Sequence, residues 1–240
     1  GSPTSQIDKV AENAALMYIN REHIPLNILS EEVGFIDNGA DETLVMDPID
    51  GTSNAIAGIP YHTISLAVGT SSLSDMRLAY LRNPVTGDVM WAESGKGAFK
   101  NGCPIHVREP NMDDLFVMIY MGNSAHADAF ELAKSVKSSR SLGCASLEMA
   151  IIAEGEADAF FMKSENYTRS VRVVDIAAST LILREAGGEV YDLQGEPLDM
   201  PFDLNHRSNF LAFNDVRVFD FIVRRKYTRS EHRYGIYTNT

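Results

Sequence analysis

Cysteine and long apolar runs are both scarce in this sequence. Only Cys103 and Cys144 occur among 240 residues, too few and too far apart for a disulfide framework or a cysteine-based zinc site. No apolar run approaches the ~20 residues that cross a bilayer, and the N-terminal residues lack the pattern of a secretory signal. We therefore expect a soluble protein of a reducing compartment, the cytoplasm, with no membrane partner.

Positive charge is also in deficit. The chain has 21 lysines and arginines against 33 aspartates and glutamates, a formal net charge of −12. Nucleic acids attract basic surfaces, so this composition argues against a nucleic-acid partner. An acidic protein that binds a phosphorylated ligand needs cations to neutralise both, and divalent metal ions do this most directly. The P-loop pattern Gly-x-x-x-x-Gly-Lys-Ser/Thr is missing as well, which disfavours a kinase of that class.

The first half of the chain has the pattern of an antiparallel sheet that carries helices. Val10, Ala14, Met17 and Tyr18 lie at helical spacing after a capping Ser5 and predict an early amphipathic helix. Strands are predicted at residues 44–46, 63–68, 76–81, 87–91, 98–100 and 105–107. The Asn-Gly pair at 101–102 predicts a hairpin between the last two.

The second half alternates strands and helices, which is typical of an α/β fold. Strands are predicted at 115–120, 157–162 and 189–191, and helices at 125–136, 145–153 and 175–186. We place a boundary near residues 109–115, which gives an α+β half (1–112) and an α/β half (113–223). Residues 224–240 are basic and aromatic without a helical or strand period, and we interpret them as a tail.

The segment 47–54, DPIDGTSN, carries the most specific chemistry. Asp47 and Asp50 lie three residues apart where an apolar strand ends and the chain turns, so both carboxylates can face one cation cluster. Gly51, Thr52 and Ser53 then offer backbone N–H groups to a phosphate at the start of a helix. Hard oxygen ligands of this kind favour Mg²⁺ over zinc. An isolated Asp-Pro-x-Asp-Gly string would be an ordinary turn, but the whole string indicates a metal and phosphate site.

This segment resembles the metal-binding signature of the inositol monophosphatase superfamily, the magnesium-dependent and lithium-sensitive phosphatases. Residues 28–32, ILSEE, are similar to the family's earlier acidic motif, and this maps a metal ligand onto Glu31. Residues 171–178, VRVVDIAA, are similar to the late motif, and this maps another ligand onto Asp175. The three motifs occur in the family's order. The resemblance implies a layered αβαβα sandwich of the sugar phosphatase type and a homodimer.

The resemblance also implies which residues bind the metal ions, the attacking water and the phosphate. One Mg²⁺ would be held by Glu31, Asp47 and the carbonyl of Ile49, and a second by Asp47, Asp50 and Asp175, with two or three ions per site in all. A metal-activated water would attack the phosphorus without a phosphoenzyme. Thr52, backed by Asp8 or Glu31, would orient that water, while Gly51, Thr52 and Ser53 bind the phosphate. For Asp8 alone a helix-capping role remains equally open.

The substrate is less specified than the reaction. Val174 stands where animal inositol monophosphatases have Trp, which is more similar to the archaeal branch, whose members hydrolyse inositol monophosphate and fructose 1,6-bisphosphate. Lys163, Arg169 and Arg172 precede Asp175 and are candidates for the non-reacting phosphate of a bisphosphate. The alternative is that these three are surface charges paired with acids. On the first interpretation, Arg172→Ala should impair fructose 1,6-bisphosphate turnover selectively.

Two further functions remain open. Adenosine 3′,5′-bisphosphate phosphatases share the superfamily motifs, although they usually carry insertions. The fold also serves as a protein-interaction module in a bacterial relative that associates with RNA polymerase. Family members begin with a long helix and a mobile loop ahead of the part that matches Pro3 to Asp8. Since this sequence has neither and starts at Gly1, we expect it to be a piece of a longer protein.

Overall fold

The computed structural model describes residues 6–223, which form an α/β sandwich. The helices are α1 (Gln6–Arg21), α2 (Thr52–Ala57), α3 (Ala127–Ser135), α4 (Ala145–Ala153), α5 (Val173–Glu185) and α6 (residues 216–223). The strands are β1 (Asn27–Ser30), β2 (Gly34–Ile36), β3 (Thr43–Asp50), β4 (Thr63–Gly69), β5 (Leu78–Arg82), β6 (Val89–Glu93), β7 (Ala98–Lys100), β8 (Cys103–Ile105), β9 (Phe116–Ile119), β10 (Ser138–Arg140), β11 (Ala159–Met162), β12 (Glu189–Asp192) and β13 (Phe210–Phe213).

The first sheet has eight strands in the order β2-β1-β3-β4-β5-β6-β7-β8. All neighbours are antiparallel except β1 and β3, which run parallel. The predicted antiparallel sheet is therefore confirmed apart from this pair. The short edge strand β2 folds back on β1, and β3 then returns on the other side of β1 in the same direction. The 101–102 hairpin is present, but its second strand begins at Cys103, earlier than predicted.

The early helix is confirmed, but the apolar residues that predicted it do not form its buried face. Val10, Met17 and Tyr18 are 62%, 73% and 54% exposed, and Ala14 is exposed as well. Ile19 is the buried apolar residue, and it packs with Leu16 over the first sheet. The spacing identified a helical period correctly, whereas the choice of face depends on the sheet that the helix meets.

The second sheet has five strands in the order β10-β9-β11-β13-β12. Strands β10, β9 and β11 are parallel, and β13 and β12 are antiparallel to their neighbours. The predicted alternation of strands and helices is confirmed, and α4 has the predicted bounds. The remaining strands of this sheet, β10 and β13, were not predicted.

The layers follow the order helix, sheet, helices, sheet, helices. Helix α1 covers one face of the first sheet, α5 lies between the two sheets with α4 beside it, and α3 packs on the second sheet. The largest apolar cluster spans this central layer, and a separate cluster that includes Val218 and Phe219 covers the outer face of the second sheet.

Helix α5 is the most buried helix of the fold, with ten residues from Val173 to Leu183 shielded from solvent. A helix between two sheets needs apolar side chains all round, and this explains why its sequence shows little amphipathic bias. Burial fixes the position of its first turn, where Asp175 lies.

Both cysteines are free, as expected, with Cys103 exposed and Cys144 buried. Among the described helices, none combines the length and apolar character needed to cross a bilayer. Ser5 and the predicted tail at 224–240 lie outside the described residues.

Candidate active site

Asp47 lies inside strand β3, not at its end as predicted. The strand continues to Asp50, with a shift of register against β4 between the two aspartates. Such an irregularity re-aims side chains that strict alternation would send to opposite faces, and Pro48 lies within it. Asp47 is 3% exposed, and one of its oxygens accepts a hydrogen bond from the N–H of Ile49 at 3.0 Å.

Gly51 makes the turn from β3 into α2. Its φ of 87° lies in the left-handed region, which suits glycine. A Cβ atom here would come within 3.1 Å of the Tyr61 carbonyl oxygen and of the Cys144 Cβ. The next residues, Thr52 and Ser53, form the first turn of α2, where backbone N–H groups have no acceptor within the helix. The predicted phosphate-binding segment therefore begins beside the carboxylates.

Three of the predicted metal ligands converge. Glu31, Asp47 and Asp175 each offer a carboxylate oxygen, and these three oxygens lie within 4.8 Å of one another. Burial raises the pKa of Asp47 well above its usual range, and the negative charges of Asp50, Asp175 and Glu31 raise it further. Burial also raises the pKa of Glu31. Repulsion between the buried Asp47 and its partly exposed acidic neighbours is a physical cost that a bound cation would remove.

Glu31 is placed by helix α1. A carboxylate oxygen of Glu12, a buried residue of α1, accepts hydrogen bonds from the Ser30 hydroxyl and from the N–H groups of Glu32 and Val33, the last two at 3.2 Å. These bonds fix the backbone on both sides of Glu31. Neither Glu12 nor Ser30 was predicted as part of the site, because a single glutamate in a helix gives no signal of such a contact.

Asp50 faces the same cleft but is held by α4. Its Oδ2 accepts hydrogen bonds from the Ser146 N–H at 2.7 Å and the Ser146 hydroxyl at 2.5 Å, and the Cys144 thiol lies 3.2 Å away. Burial raises the pKa of Asp50, and the Ser146 bonds oppose that rise. Sequence reasoning missed Ser146, which is separated from Asp50 by 96 residues.

Arg172 lies among the acids. Its Nη2 is 2.5 Å from a Glu31 oxygen and 3.2 Å from an Asp175 oxygen. Its side chain is 17% exposed, so it is not a surface charge. Burial opposes the charge of Arg172, but Asp175 and Glu31 outweigh that effect and keep its pKa above the usual value. Asp175 also accepts the Arg172 N–H at 2.8 Å, which closes the first turn of α5.

Thr52 makes the contact expected from the resemblance. Its hydroxyl lies 3.1 Å from Asp8 Oδ1 and 3.0 Å from the Ile49 carbonyl oxygen. Asp8 also lies in the first turn of α1, so its position is compatible with both roles considered for it. A hydroxyl has one proton to donate, and the two acceptors compete for it.

These residues line a cleft of about 420 Å³. Of the other predicted basic residues, Arg169 lines this cleft and is exposed. Lys163 lines a neighbouring cavity instead, where its Nζ lies 2.5 Å from Asp128. The cleft also contains Arg207 and Glu148, which sequence reasoning missed. Burial raises the pKa of Glu148 to about 8.

The donor set fits a hard divalent cation. Clustered carboxylate oxygens with a nearby backbone carbonyl are ligands that suit Mg²⁺. A bound cation would offset the burial and the charge repulsion that raise the pKa of Asp47. The chemistry that this arrangement supports is hydrolysis of a phosphate ester bound between the acids and the Gly51 turn.

Comparisons with known proteins agree with this chemistry. The sequence profile of the inositol monophosphatase family matches residues 1–217. A protein of Methanothermobacter thermautotrophicus named fructose-1,6-bisphosphatase/inositol-1-monophosphatase is 35% identical over an alignment that covers 93% of this chain and 83% of the relative. The fructose-1,6-bisphosphatase of Pyrococcus furiosus is 35% identical over 223 residues, with the same coverage. A Pyrococcus horikoshii structure, described as having similarities to inositol-1 monophosphatase, superposes with a TM-score of 0.81 at 33% identity, covering 93% of this chain and 85% of that one.

Proposed function

Since the chain belongs to the inositol monophosphatase family and is a hydrolase of phosphoric monoesters, we propose that it hydrolyses inositol 1-phosphate and fructose 1,6-bisphosphate in a Mg²⁺-dependent reaction. The observation that carries this proposal is the convergence of Glu31, Asp47 and Asp175 within 4.8 Å beside the Gly51 turn. Relatives named for one or both of these substrates support the choice of substrates.

The residues that would hold the metal are Glu31, Asp47 and Asp175, together with Asp50 and the Ile49 carbonyl. Two or three ions per site are proposed. Bound Mg²⁺ would supply a water of lowered pKa and positive charge for the phosphate oxygens. Asp47 is the most buried of these acids, at 3% exposed, and the negative charges of Asp50, Asp175 and Glu31 all raise its pKa.

The chain's own residues would orient the reactants. The Thr52 hydroxyl, bound to Asp8 or to the Ile49 carbonyl, would accept or position the proton of the attacking water. The backbone N–H groups of Gly51, Thr52 and Ser53 would donate to the phosphate oxygens. The attack would be direct and in line, without a phosphoenzyme.

Two accompanying proposals follow from the family. A homodimer is proposed as the working assembly, and the cytoplasm as the compartment. Adenosine 3′,5′-bisphosphate hydrolysis and a role chiefly as a protein-interaction module are alternatives, and the experiment below separates them from the proposed function.

The test is phosphate release from inositol 1-phosphate, fructose 1,6-bisphosphate and adenosine 3′,5′-bisphosphate, with Mg²⁺ and with EDTA. We expect Mg²⁺-dependent release from the first two. Asp47→Asn should remove nearly all turnover, because an amide cannot supply the negative charge that would hold the metal, while the circular dichroism spectrum stays native. Glu131→Gln, which changes an exposed carboxylate 67% accessible to solvent, is the matched control and should keep full activity.

Three outcomes would contradict the proposal. Release from adenosine 3′,5′-bisphosphate alone would reassign the substrate. No release from any of the three esters, with a native spectrum, would favour the interaction module. An Asp47→Asn protein with near-normal Mg²⁺-dependent hydrolysis would refute the assigned metal ligands.

A further inference from the structure

Arg207 lies in the connection between β12 and β13, next to the segment that leads to Asp175. The backbone of its neighbour Ser208 pairs with Val171 in an isolated antiparallel bridge, with N–O distances of 3.1 and 3.2 Å. The Arg207 N–H also donates to the Tyr167 hydroxyl at 3.0 Å. These bonds fix the backbone of Arg207 at the rim of the catalytic cleft.

The guanidinium of Arg207 is held in place by one hydrogen bond, which uses one of its N–H donors. Its Nη1 donates to the Ser170 carbonyl oxygen at 3.1 Å. Within residues 6–223 this is its one hydrogen bond, and no carboxylate there forms an ion pair with it. A guanidinium has five N–H donors in a planar fork that suits phosphate. The half-buried Arg207 therefore presents, in a fixed position, N–H donors that have no protein partner among residues 6–223.

The electrostatic surroundings favour an incoming anion. Burial and the positive charge of Arg172 lower the pKa of Arg207, and together they outweigh the negative charges of Asp175 and Glu31, which raise it. The net effect penalises the Arg207 cation, and an anionic ligand bound to the guanidinium would offset this penalty.

The other basic residues near the cleft differ from Arg207, because each is either paired with a carboxylate or exposed to solvent. Arg172 is bound to Glu31 and Asp175, and Lys163 is bound to Asp128. Arg169 lines the cleft but is exposed, so water competes with any anion for its charge.

Arg207 also lines a second cavity beside the catalytic cleft. A cavity of about 690 Å³ adjoins the catalytic cleft, and both are lined by Ser170 and Arg207. A ligand whose reacting phosphate lies beside Asp47 and the Gly51 turn can therefore extend past Arg207. An anion at the far end of such a ligand meets the guanidinium before it reaches the second cavity.

We propose that Arg207 is a specificity residue that binds the non-reacting anionic group of a substrate carrying two such groups, as a sugar bisphosphate does. The inference rests on the proposed function and deepens it. It replaces Arg172 as the residue that distinguishes a bisphosphate from a monophosphate, since Arg172 is occupied by the acids at the metal site.

The experiment compares KM and kcat for fructose 1,6-bisphosphate and inositol 1-phosphate at saturating Mg²⁺. A lost charge-assisted hydrogen bond predicts that Arg207→Ala raises KM for the bisphosphate about tenfold to a hundredfold. The kcat for the bisphosphate and both parameters for the monophosphate should change little. Arg207→Lys should recover part of the loss, because it keeps the charge but not the fork.

Two controls accompany this variant. Arg169→Ala removes an exposed cation from the same cleft and should raise KM for the bisphosphate much less. Lys134→Ala removes a lysine that is 73% exposed and should change nothing. Equal KM increases on both substrates, no increase on either, or a larger effect of Arg169→Ala would each overturn the role of Arg207.

Binding separates this inference from the proposed function. Isothermal titration calorimetry of fructose 1,6-bisphosphate and of fructose 1-phosphate, which lacks the non-reacting phosphate, compares binding to the wild-type and Arg207→Ala proteins and needs no turnover. We expect the wild type to bind the bisphosphate more tightly and Arg207→Ala to lose that difference. If neither inositol 1-phosphate nor fructose 1,6-bisphosphate is hydrolysed, the proposed function fails. The titration still tests the role of Arg207 in that case. An unchanged preference in Arg207→Ala would refute the inference.

Discussion

The guanidinium of Arg172 joins Glu31 and Asp175, which lie 144 positions apart in the chain, at distances of 2.5 and 3.2 Å. It thus links the first sheet to the start of α5. We expect Arg172→Ala to lower kcat/KM about tenfold to a hundredfold on inositol 1-phosphate and fructose 1,6-bisphosphate alike, because both need correctly placed Glu31 and Asp175. Steady-state kinetics on the two substrates checks this.

This prediction differs from the expectation based on sequence, in which Arg172 contacts a distal phosphate. A loss confined to fructose 1,6-bisphosphate would restore that first interpretation. Arg140→Ala is a suitable control, since Arg140 is exposed and stacks on Phe116 away from the cleft. It should leave both activities unchanged.

The Thr52 hydroxyl has hydrogen-bond acceptors on Asp8 and Ile49 that are about equally close, and we propose that it positions the attacking water. Thr52→Ala removes that hydroxyl, and we expect kcat to fall about 10²- to 10⁴-fold, as for other general acid–base groups. The KM should change little, because the backbone N–H groups remain. Thr52→Ser keeps the hydroxyl and should retain most of kcat. Equal losses in the two variants would show that the methyl group matters rather than the proton.

The sequence predicted the parts of the site that lie close together along the chain. Asp47, Asp50 and Gly51 share one segment, so their joint chemistry is readable without a structure. Glu31 and Asp175 required a family resemblance. Glu12, Ser146 and Arg207 escaped both approaches, because each reaches the site from a distant element through one side chain.

The same contrast holds for the fold. Hydrophobic periodicity predicted α4, and the Asn-Gly pair predicted the 101–102 hairpin, because both elements depend on residues close together in the sequence. The parallel pairing of β1 with β3 and the packed face of α1 depend on contacts between separate elements. Local patterns do not contain that information, which arises only when the sheets and helices are assembled.

Ser146 positions Asp50 through two hydrogen bonds, one from its N–H and one from its hydroxyl. Ser146→Ala keeps the first and removes the second. Changes of this type around metal ligands weaken metal affinity about 10- to 100-fold, so we expect half-maximal activity to require correspondingly more Mg²⁺. Titration of activity with Mg²⁺ measures the shift, and kcat at saturating Mg²⁺ should stay close to the wild-type value.

A merely structural role for Ser146 would give another result. In that case the melting temperature of Ser146→Ala would fall while the Mg²⁺ concentration for half-maximal activity stayed constant. Ser141→Ala, a change at an exposed serine shortly before α4, serves as the matched control and should alter neither quantity.

Glu148 gives the fold a pH dependence of predictable sign. It is 3% exposed, and its carboxylate accepts the Leu142 N–H at 2.7 Å. Burial raises its pKa from 4.5 to about 8. The folded protein therefore binds a proton that the unfolded chain has released between these pH values. Its stabilising contribution is complete below pH 4.5 and is lost as the pH rises through about 8.

We therefore expect the melting temperature of the wild type in saturating Mg²⁺ to fall between pH 5.5 and pH 8.5, a range of about three units that spans most of this titration. Glu148→Gln cannot titrate, and its curve should be flatter over the same range. Differential scanning calorimetry measures both curves, with Glu131→Gln as the exposed control that keeps the wild-type slope. Parallel curves for the wild type and Glu148→Gln would mean that Glu148 is ionised throughout, with the Leu142 and Gly143 N–H groups compensating for its burial.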